Sequence, residues 1–302
     1  HPDSLVEGHI NMLVKRCLSE GYDLFQVLQI ACVNPVKHYG LEVGLLQTGD
    51  SADFILINNL KDFEVLETYI NGKKAPPKEA EASPPIPLPR IGELSLVSND
   101  VPFSLVKLFR LLSLGGAGGR LLVIEALDRQ LITNKIVVTP KIVNGEIVSD
   151  IENDILKIVV VNRYVEAKPA VAFIKNFGFK SGAIASSVAH DSHNFIAVGV
   201  DDESICHVIN LLIESKGGIS LVNGEQQALL PLPIAGLMSE NDGYEVAQAY
   251  ARLDRLAKAM GSTLEAPFMT LSFMALLVIP SLKISDKGLF DGEKFAFTEL
   301  LV

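Results

Sequence analysis

The feature that most constrains this chain is a run of proline. Between Ala75 and Arg90 the sequence reads PPKEAEASPPIPLP, which holds six of the chain's fifteen prolines. Proline has no backbone N–H to give to a helix or a sheet ladder and favours an extended conformation, so a packed core cannot be threaded through such a run. Residues 76–93 therefore read as a linker, with a small folded region before it and a larger one, 94–302, after it. At 302 residues, 48% of them hydrophobic, the chain has apolar material for real cores.

Upstream of the linker, Leu5, Ile10, Leu13, Val14 and Leu18 recur at helical spacing and predict a helix over 3–19, stopped by Gly21. Asp23 can cap a second helix running to Cys32. Asn34–Pro35 is expected to end that helix, because the residue before proline resists the α region. Gly44 and Gly49 mark turns, Phe54–Ile57 reads as a buried strand, and VLETYINGKKA reads as a second strand turning at Asn71–Gly72.

Beyond the linker, strands are expected at 120–126, 135–139, 155–163, 169–177, 183–189 and 194–199, and GGISLVNGEQQALLPLP reads as a hairpin about Asn223–Gly224. Helices are expected at 201–215, 243–260 and 267–276. Runs of strands with helices grouped toward the end predict an α+β fold, a layered sheet-and-helix domain, and not a doubly wound parallel sheet. The most apolar segment, FMTLSFMALLVIP at 268–280, falls short of the roughly 20 residues that span a bilayer and reads as a buried helix running into a strand. No repeat of fixed period is present.

Composition excludes several functions. Acidic residues outnumber basic ones, 36 to 26, for a net charge of −10, and no run of Lys or Arg could track phosphates. Neither nucleic acid nor an anionic membrane is expected as a partner. Cys17, Cys32 and Cys206 are odd in number and form no CxxC pattern, which argues against a disulfide framework or a cysteine zinc site and fits a reducing cytoplasm. The N-terminus, HPDSLVEGHI, has no initiator methionine and no signal-peptide layout, so it reads as the interior of a longer chain.

Few motifs carry chemistry. LGGAGGR at 114–120 lacks the Lys-Ser/Thr of a phosphate-binding loop and its glycines do not fit GxGxxG, so it reads as a turn. His9 and His38 stand alone near helix ends, where capping or packing outweighs metal ligation. AHDSHN is richer. In a straight strand His190 and His193 would point to opposite faces, so they can share a ligand only if Asp191–Ser192 makes a turn or bulge, which Asp, Ser and Asn favour. Such a His-Asp-His cluster can ligate a metal or move a proton. Equally, it can be a polar corner whose groups satisfy one another. His207 and Cys206, in the next helix, are weaker candidates for further ligands. In LLPLPIAGLMS, 229–239, Pro231 and Pro233 rule out a central strand, and Gly236 suggests a chain passing close to another surface.

Taken together, SGAIASSVAHDSHNFIAVG, LLPLPIAGLMS and PFMTLSFMALLVIPSLKISDKGLFD resemble, in that order, the hallmark segments of the C-terminal domain of the adenine deaminase family, in the amidohydrolase superfamily. HPDSLVEGHINMLVKRCLSEG, ACVNPVKHYGL and GLLQTGDSADFILI resemble the end of an amidohydrolase barrel and its return into a small β-sandwich. The resemblance implies four regions: 1–45, the last helices of a (β/α)8 barrel; 46–75, part of the sandwich; 76–93, the linker; and 94–302, the family's C-terminal domain.

The implied chemistry is hydrolysis of a cyclic amidine C–N bond, adenine plus water giving hypoxanthine plus ammonia in purine salvage, at a divalent metal centre of manganese or iron. The family's metal ligands, histidines and carboxylates of the barrel strands, match no residue here. The resemblance therefore implies a C-terminal fragment that is inactive alone, a homo-oligomer joined to the rest of its barrel. It raises the expectation that His190, Asp191 and His193 line the adenine site or transfer protons there. The alternative is a separate, non-catalytic purine-binding or assembly module pairing with a barrel chain.

Overall fold

The computed structural model describes residues 4, 6, 8–76 and 119–302. All but Pro76 of the expected linker, and all but Gly119 and Arg120 of the LGGAGGR stretch, lie outside the described residues. The chain forms two compact units, His1–Leu94 and Ser95–Val302.

The first unit opens with helix α1 (Ile10–Ser19) and helix α2 (Leu24–Leu28), the latter capped as expected by Asp23, whose carboxylate accepts from the Gln26 N–H at 3.0 Å. The helix was expected to end at Asn34–Pro35, and it does not. The chain widens into a π-helical turn over Gln29–Val33 and continues as helix α3 (Asn34–Tyr39), stopped by Gly40 in the left-handed region. Pro35 falls at the start of α3 directly after the π-helical turn, whose wider winding, with the Asn34 N–H on the Gln29 carbonyl, takes the place of the regular helical bonding a proline would break. Strands β1 (Phe54–Ile57), β2 (Val65–Ile70) and β3 (Lys73–Lys74) form an antiparallel sheet. Asn71 and Gly72, with φ of 50° and 73°, make the expected tight turn. Asp53 accepts from the Asn71 and Gly44 N–H groups at 2.7 and 2.8 Å, and these bonds hold its carboxyl below the usual range. The core of this unit is small: Val14, Val27 and Phe63 are buried, while Leu13, Phe25, Tyr39 and Leu66 are exposed.

The second unit is built on strands β4 (Leu121–Ala126), β5 (Thr133–Val138), β8 (Ile155–Val161), β9 (Ala170–Lys175), β10 (Ala183–Ser186), β11 (Phe195–Gly199), β12 (Gly218–Asn223) and β13 (Gln226–Pro231), with a short hairpin β6 (Ile142–Val143) and β7 (Glu146–Ile147) between β5 and β8. The eight strands make one sheet in the order β13-β12-β10-β11-β8-β9-β4-β5, in which only the β4–β9 pair is parallel. Helix α4 (Asp202–Glu214) covers one face; helices α5 (Gly243–Ala259) and α6 (Pro267–Phe273) cover the other. The α+β reading is borne out. Among the described residues no helix is long and apolar enough to cross a membrane.

Strand periodicity decides which helix each side chain meets. Val159, Val161, Phe195 and the small Ala183, Ala185 and Ala197 face α4, meeting Ile205, Val208, Ile209 and Leu212. The alternate positions Leu156, Ile158, Val160, Ile184, Ile196 and Val198 join Leu253, Phe268, Leu271 and Met274 on the other face. Each fully buried Ile or Leu of this kind contributes about 1.5–3 kcal/mol. The hairpin at 218–231 lies at the edge, and β13 ends on exposed Pro231, as the prolines required.

A last set of strands, β14 (Leu282–Ser285), β15 (Gly288–Asp291) and β16 (Ala296–Phe297), follows α6 and forms a separate antiparallel sheet. The sequence led to a strand after 268–280 but not to this hairpin. It is tied to β5: the Thr133 hydroxyl donates to the Leu282 carbonyl at 2.8 Å, and Lys135 pairs with buried Asp291 at 2.8 Å.

On β14, Lys283 is fully buried, its Nζ donating to the carbonyls of Leu131 at 2.6 Å and Phe273 at 3.1 Å. Burial, offset by carbonyls and not by a carboxylate, pushes its ammonium down to about 8. The same amine titrates near 10.4, roughly, in the unfolded chain, so between these two values the unfolded state holds a proton that the folded state has lost, and stability rises with pH. Urea unfolding should therefore show the native protein gaining stability relative to Lys283→Met between pH 7.5 and pH 10, by up to about 3 kcal/mol. A difference that does not change with pH would show that the buried amine titrates normally.

Candidate functional site

Antiparallel neighbours place the end of one strand beside the start of the next. The C-terminal ends of β8, β10 and β13 and the N-terminal ends of β11 and β12 therefore open on one edge of the sheet. Three connections meet there: 162–169 after β8, 187–194 between β10 and β11, and 232–242 after β13.

The middle connection holds AHDSHN. The required turn is present: the His193 N–H donates to the Ala189 carbonyl at 2.7 Å, and His193 has φ of 50°, in the left-handed region that His, Asn and Asp enter more readily than bulky residues. The turn brings the two imidazoles together edge to face, with centroids 5.5 Å apart and planes at 69°. His190 is anchored on α6: its N–H donates to the Ser272 carbonyl at 3.0 Å, and its ring stacks on Phe273 at 4.8 Å. Asp191 and Ser192 form the exposed tip.

His193 Nδ1 is buried without a hydrogen-bond partner. Burial pushes the imidazole below its ordinary value, reinforced by the adjacent His190 and by Arg163 and opposed by Asp191. A neutral imidazole beside an exposed carboxylate can take up a proton and pass it on.

The sequence did not single out Arg163, yet its side chain occupies the middle of this edge. It is 7% exposed. Its Nη2 donates to the Ala235 carbonyl at 2.5 Å, its backbone N–H donates to the Asn194 carboxamide oxygen at 3.2 Å, and its guanidinium lies 5.0 Å from the centroid of the Tyr164 ring. Gly236 is needed where LLPLPIAGLMS passes over it: a Cβ there would sit 1.8 Å from Arg163 Nη1, and φ is +73°. The close approach expected at Gly236 is thus to this guanidinium. An arginine two residues after the apolar run of β8 was the signal in the sequence.

The other candidates fall elsewhere. His9 precedes α1 without a side-chain capping bond, and His38 packs edge-on against Tyr39 at 4.6 Å. His207, exposed on α4, lies 3.2 Å from the Gln227 carboxamide and lines a cleft of about 530 Å³ with Lys180, Asp201 and Glu203. Burial pushes the Cys206 thiol up to about 12, with Asp202 adding to the effect, which disfavours the thiolate that a metal needs. None of the three cysteines is disulfide-bonded. Among the described residues no group of three or more His, Cys, Asp or Glu side chains could hold a metal ion.

Comparison with known proteins agrees with the resemblance read from the sequence. Residues 130–296 match the family described as the adenine deaminase C-terminal domain, and residues 2–75 match the amidohydrolase family. The chain is similar to the adenine deaminase of Methanosarcina acetivorans, 47% identical over 303 aligned positions covering 99% of this chain and 55% of that protein. It is 49% identical to that of a Sulfurovum species, covering 99% of this chain and 53% of the relative, and 42% identical to that of Borreliella burgdorferi, covering 99% and 54%. The chain spans about half the length of the curated relatives it matches. With relatives aligned over 99% of the chain and the C-terminal domain model matching residues 130–296, the chain belongs to the adenine deaminase family.

Proposed function

We propose that this chain is the C-terminal part of a metal-dependent adenine deaminase, a hydrolase that converts adenine and water to hypoxanthine and ammonia in purine salvage. The observation that carries this reading is identity of 42–49% along 99% of the chain to proteins named adenine deaminase. Residues 1–45 are then the last helices of an amidohydrolase barrel, 46–75 part of its small sandwich, 76–93 a linker and 94–302 the appended domain. The exposed large apolar side chains Leu13, Phe25, Tyr39 and Leu66 support this, since such side chains are readily buried against more protein. The working protein is read as a cytoplasmic homo-oligomer.

The amidohydrolase relationship implies a divalent metal in the intact enzyme, for which we expect manganese or iron. The described residues do not fit it, because no group of three or more potential ligands is brought together, and no chemical step through a metal is assigned to this chain. What the chain contributes is the edge bearing His190, Asp191 and His193, which lines the adenine site. There His193, neutral at pH 7, accepts or relays a proton, with Asp191 beside it as a carboxylate.

The purified chain should release no ammonia from adenine, with or without added manganese or iron. Metal-dependent release, with contaminating host enzyme excluded, would contradict the division of labour proposed. In the full-length enzyme His193→Ala should lower adenine turnover at least about tenfold, roughly 1.4 kcal/mol of transition-state stabilisation, with the thermal midpoint nearly unchanged. Unaltered turnover per folded molecule with a large loss of stability would make AHDSHN scaffold and favour an assembly module.

A further inference from the structure

We propose that Arg163, backed by Tyr164, is a positioning residue for His193. The proposal rests on the reading of 190–193 as part of the adenine site. A connection such as 187–194 has one internal backbone bond of note, His193 N–H to Ala189, so its placement must come from neighbours. Two ties come from one dipeptide: the Arg163 N–H to the Asn194 carboxamide oxygen at 3.2 Å, and the Tyr164 hydroxyl to the Ser192 carbonyl at 2.8 Å. They grip the chain on either side of His193.

The dipeptide is itself held. The guanidinium packs against the Tyr164 ring, donates to Ala235 and has the Gly236 backbone pressed against Nη1. Gly236 in turn accepts from the Ser187 hydroxyl at 2.5 Å, at the start of the same connection. Tyr164 and Asn162 are joined by a bond of 2.8 Å from the Tyr164 N–H to the Asn162 carboxamide oxygen, and Asn162 donates to Asp286 at 2.8 Å. The guanidinium thus ties 162–165 to 234–236, while the Arg163 backbone N–H and the Tyr164 hydroxyl tie the same dipeptide to 187–194.

The choice of residue is informative. Burying a cation costs more than burying a neutral donor unless it is used. Among the described residues Arg163, with its Nε unpartnered and its Nη2 on a carbonyl, is paired with no carboxylate. Its positive charge acts on the groups around it. The titratable groups that act on His193 are His190 and Asp191 from its own connection and Arg163 from the neighbouring one; the two bases disfavour the imidazolium and Asp191 favours it. Arg163 thus holds His193 in place and helps keep it neutral.

The test reads His193 directly. In the 302-residue chain, the imidazole C2 proton of His193 is titrated by NMR, with exposed His207 as internal control. Arg163→Met should move the His193 midpoint upward and leave that of His207 in place; Arg163→Lys, which keeps the charge, should hold it down. An unmoved midpoint in Arg163→Met overturns the proposal. Should that variant fail to fold, Tyr164→Phe keeps the ring and removes one hydrogen bond, and exchange of the His193 amide should then quicken about fivefold. Unchanged exchange overturns the proposal.

In the full-length enzyme, Arg163→Met should lower kcat about tenfold with KM within about twofold, and Arg163→Lys should recover part of the loss. If His193→Ala leaves kcat unchanged while the midpoint still moves in Arg163→Met, the adenine-site reading falls and the positioning of His193 stands. If His193→Ala lowers kcat but Arg163→Met moves neither midpoint nor kcat, the positioning is overturned.

Discussion

The second unit depends on strands that are buried on both faces. All seven residues of β8 are buried, as are those of β10 and β11 beside it. A slip of one residue in any of these pairings would send a full set of side chains to the wrong helix, so two-sided packing fixes the register as firmly as the hydrogen bonds do. The two faces differ in kind. Alanines at 183, 185 and 197 leave room for α4 to lie close, while Ile184, Ile196 and Val198 fill the side where α5 and α6 pack less intimately. Even the charged member of β8 obeys the alternation: Lys157 is buried on the α4 face and pairs with Asp202 in the first turn of that helix.

Because both faces are filled, polar chemistry is displaced to the ends of the strands. That is where His190, Asp191, His193, Arg163 and Tyr164 gather, each on a connection whose start is set by a strand in fixed register. The edge is stiffened from two directions. α6 brings Phe273 under His190, and Lys283 takes the Phe273 carbonyl, so a buried lysine far from the site in sequence sits one contact behind the histidine pair. From the other direction comes the Arg163 fork. The candidate site is thus held from α6 and from the 162–165 connection, unlike an exposed loop with histidines on it.

The first unit has the opposite character. Among its described residues the buried apolar side chains are Val14, Val27 and Phe63, many large ones are exposed, and its clearest features are local: the Asp23 cap, the Asn71–Gly72 turn, and Asp53 and Asp50 bonding loop amides. Such features need only a few neighbouring residues. They form without a large core.

By itself the sequence determined the family, the α+β class, the eight strands of the large sheet and the three helices of the second unit, though not the hairpins β6–β7 and β14–β15, because apolar alternation and Asn-Gly turns are written residue by residue. It also excluded a central strand through Pro231 and Pro233 and pointed to a close approach at Gly236. It misjudged Asn34–Pro35, since propensity forbids a helix through proline but not a new helix beginning there. Only the tertiary structure decided what presses on Gly236, that a turn brings His190 and His193 to within 5.5 Å, and that Arg163 stands between three connections. Those facts depend on strand order, which puts β8 beside β11 although some 30 residues of chain separate them, and pairing at that distance leaves no periodicity in the sequence to read.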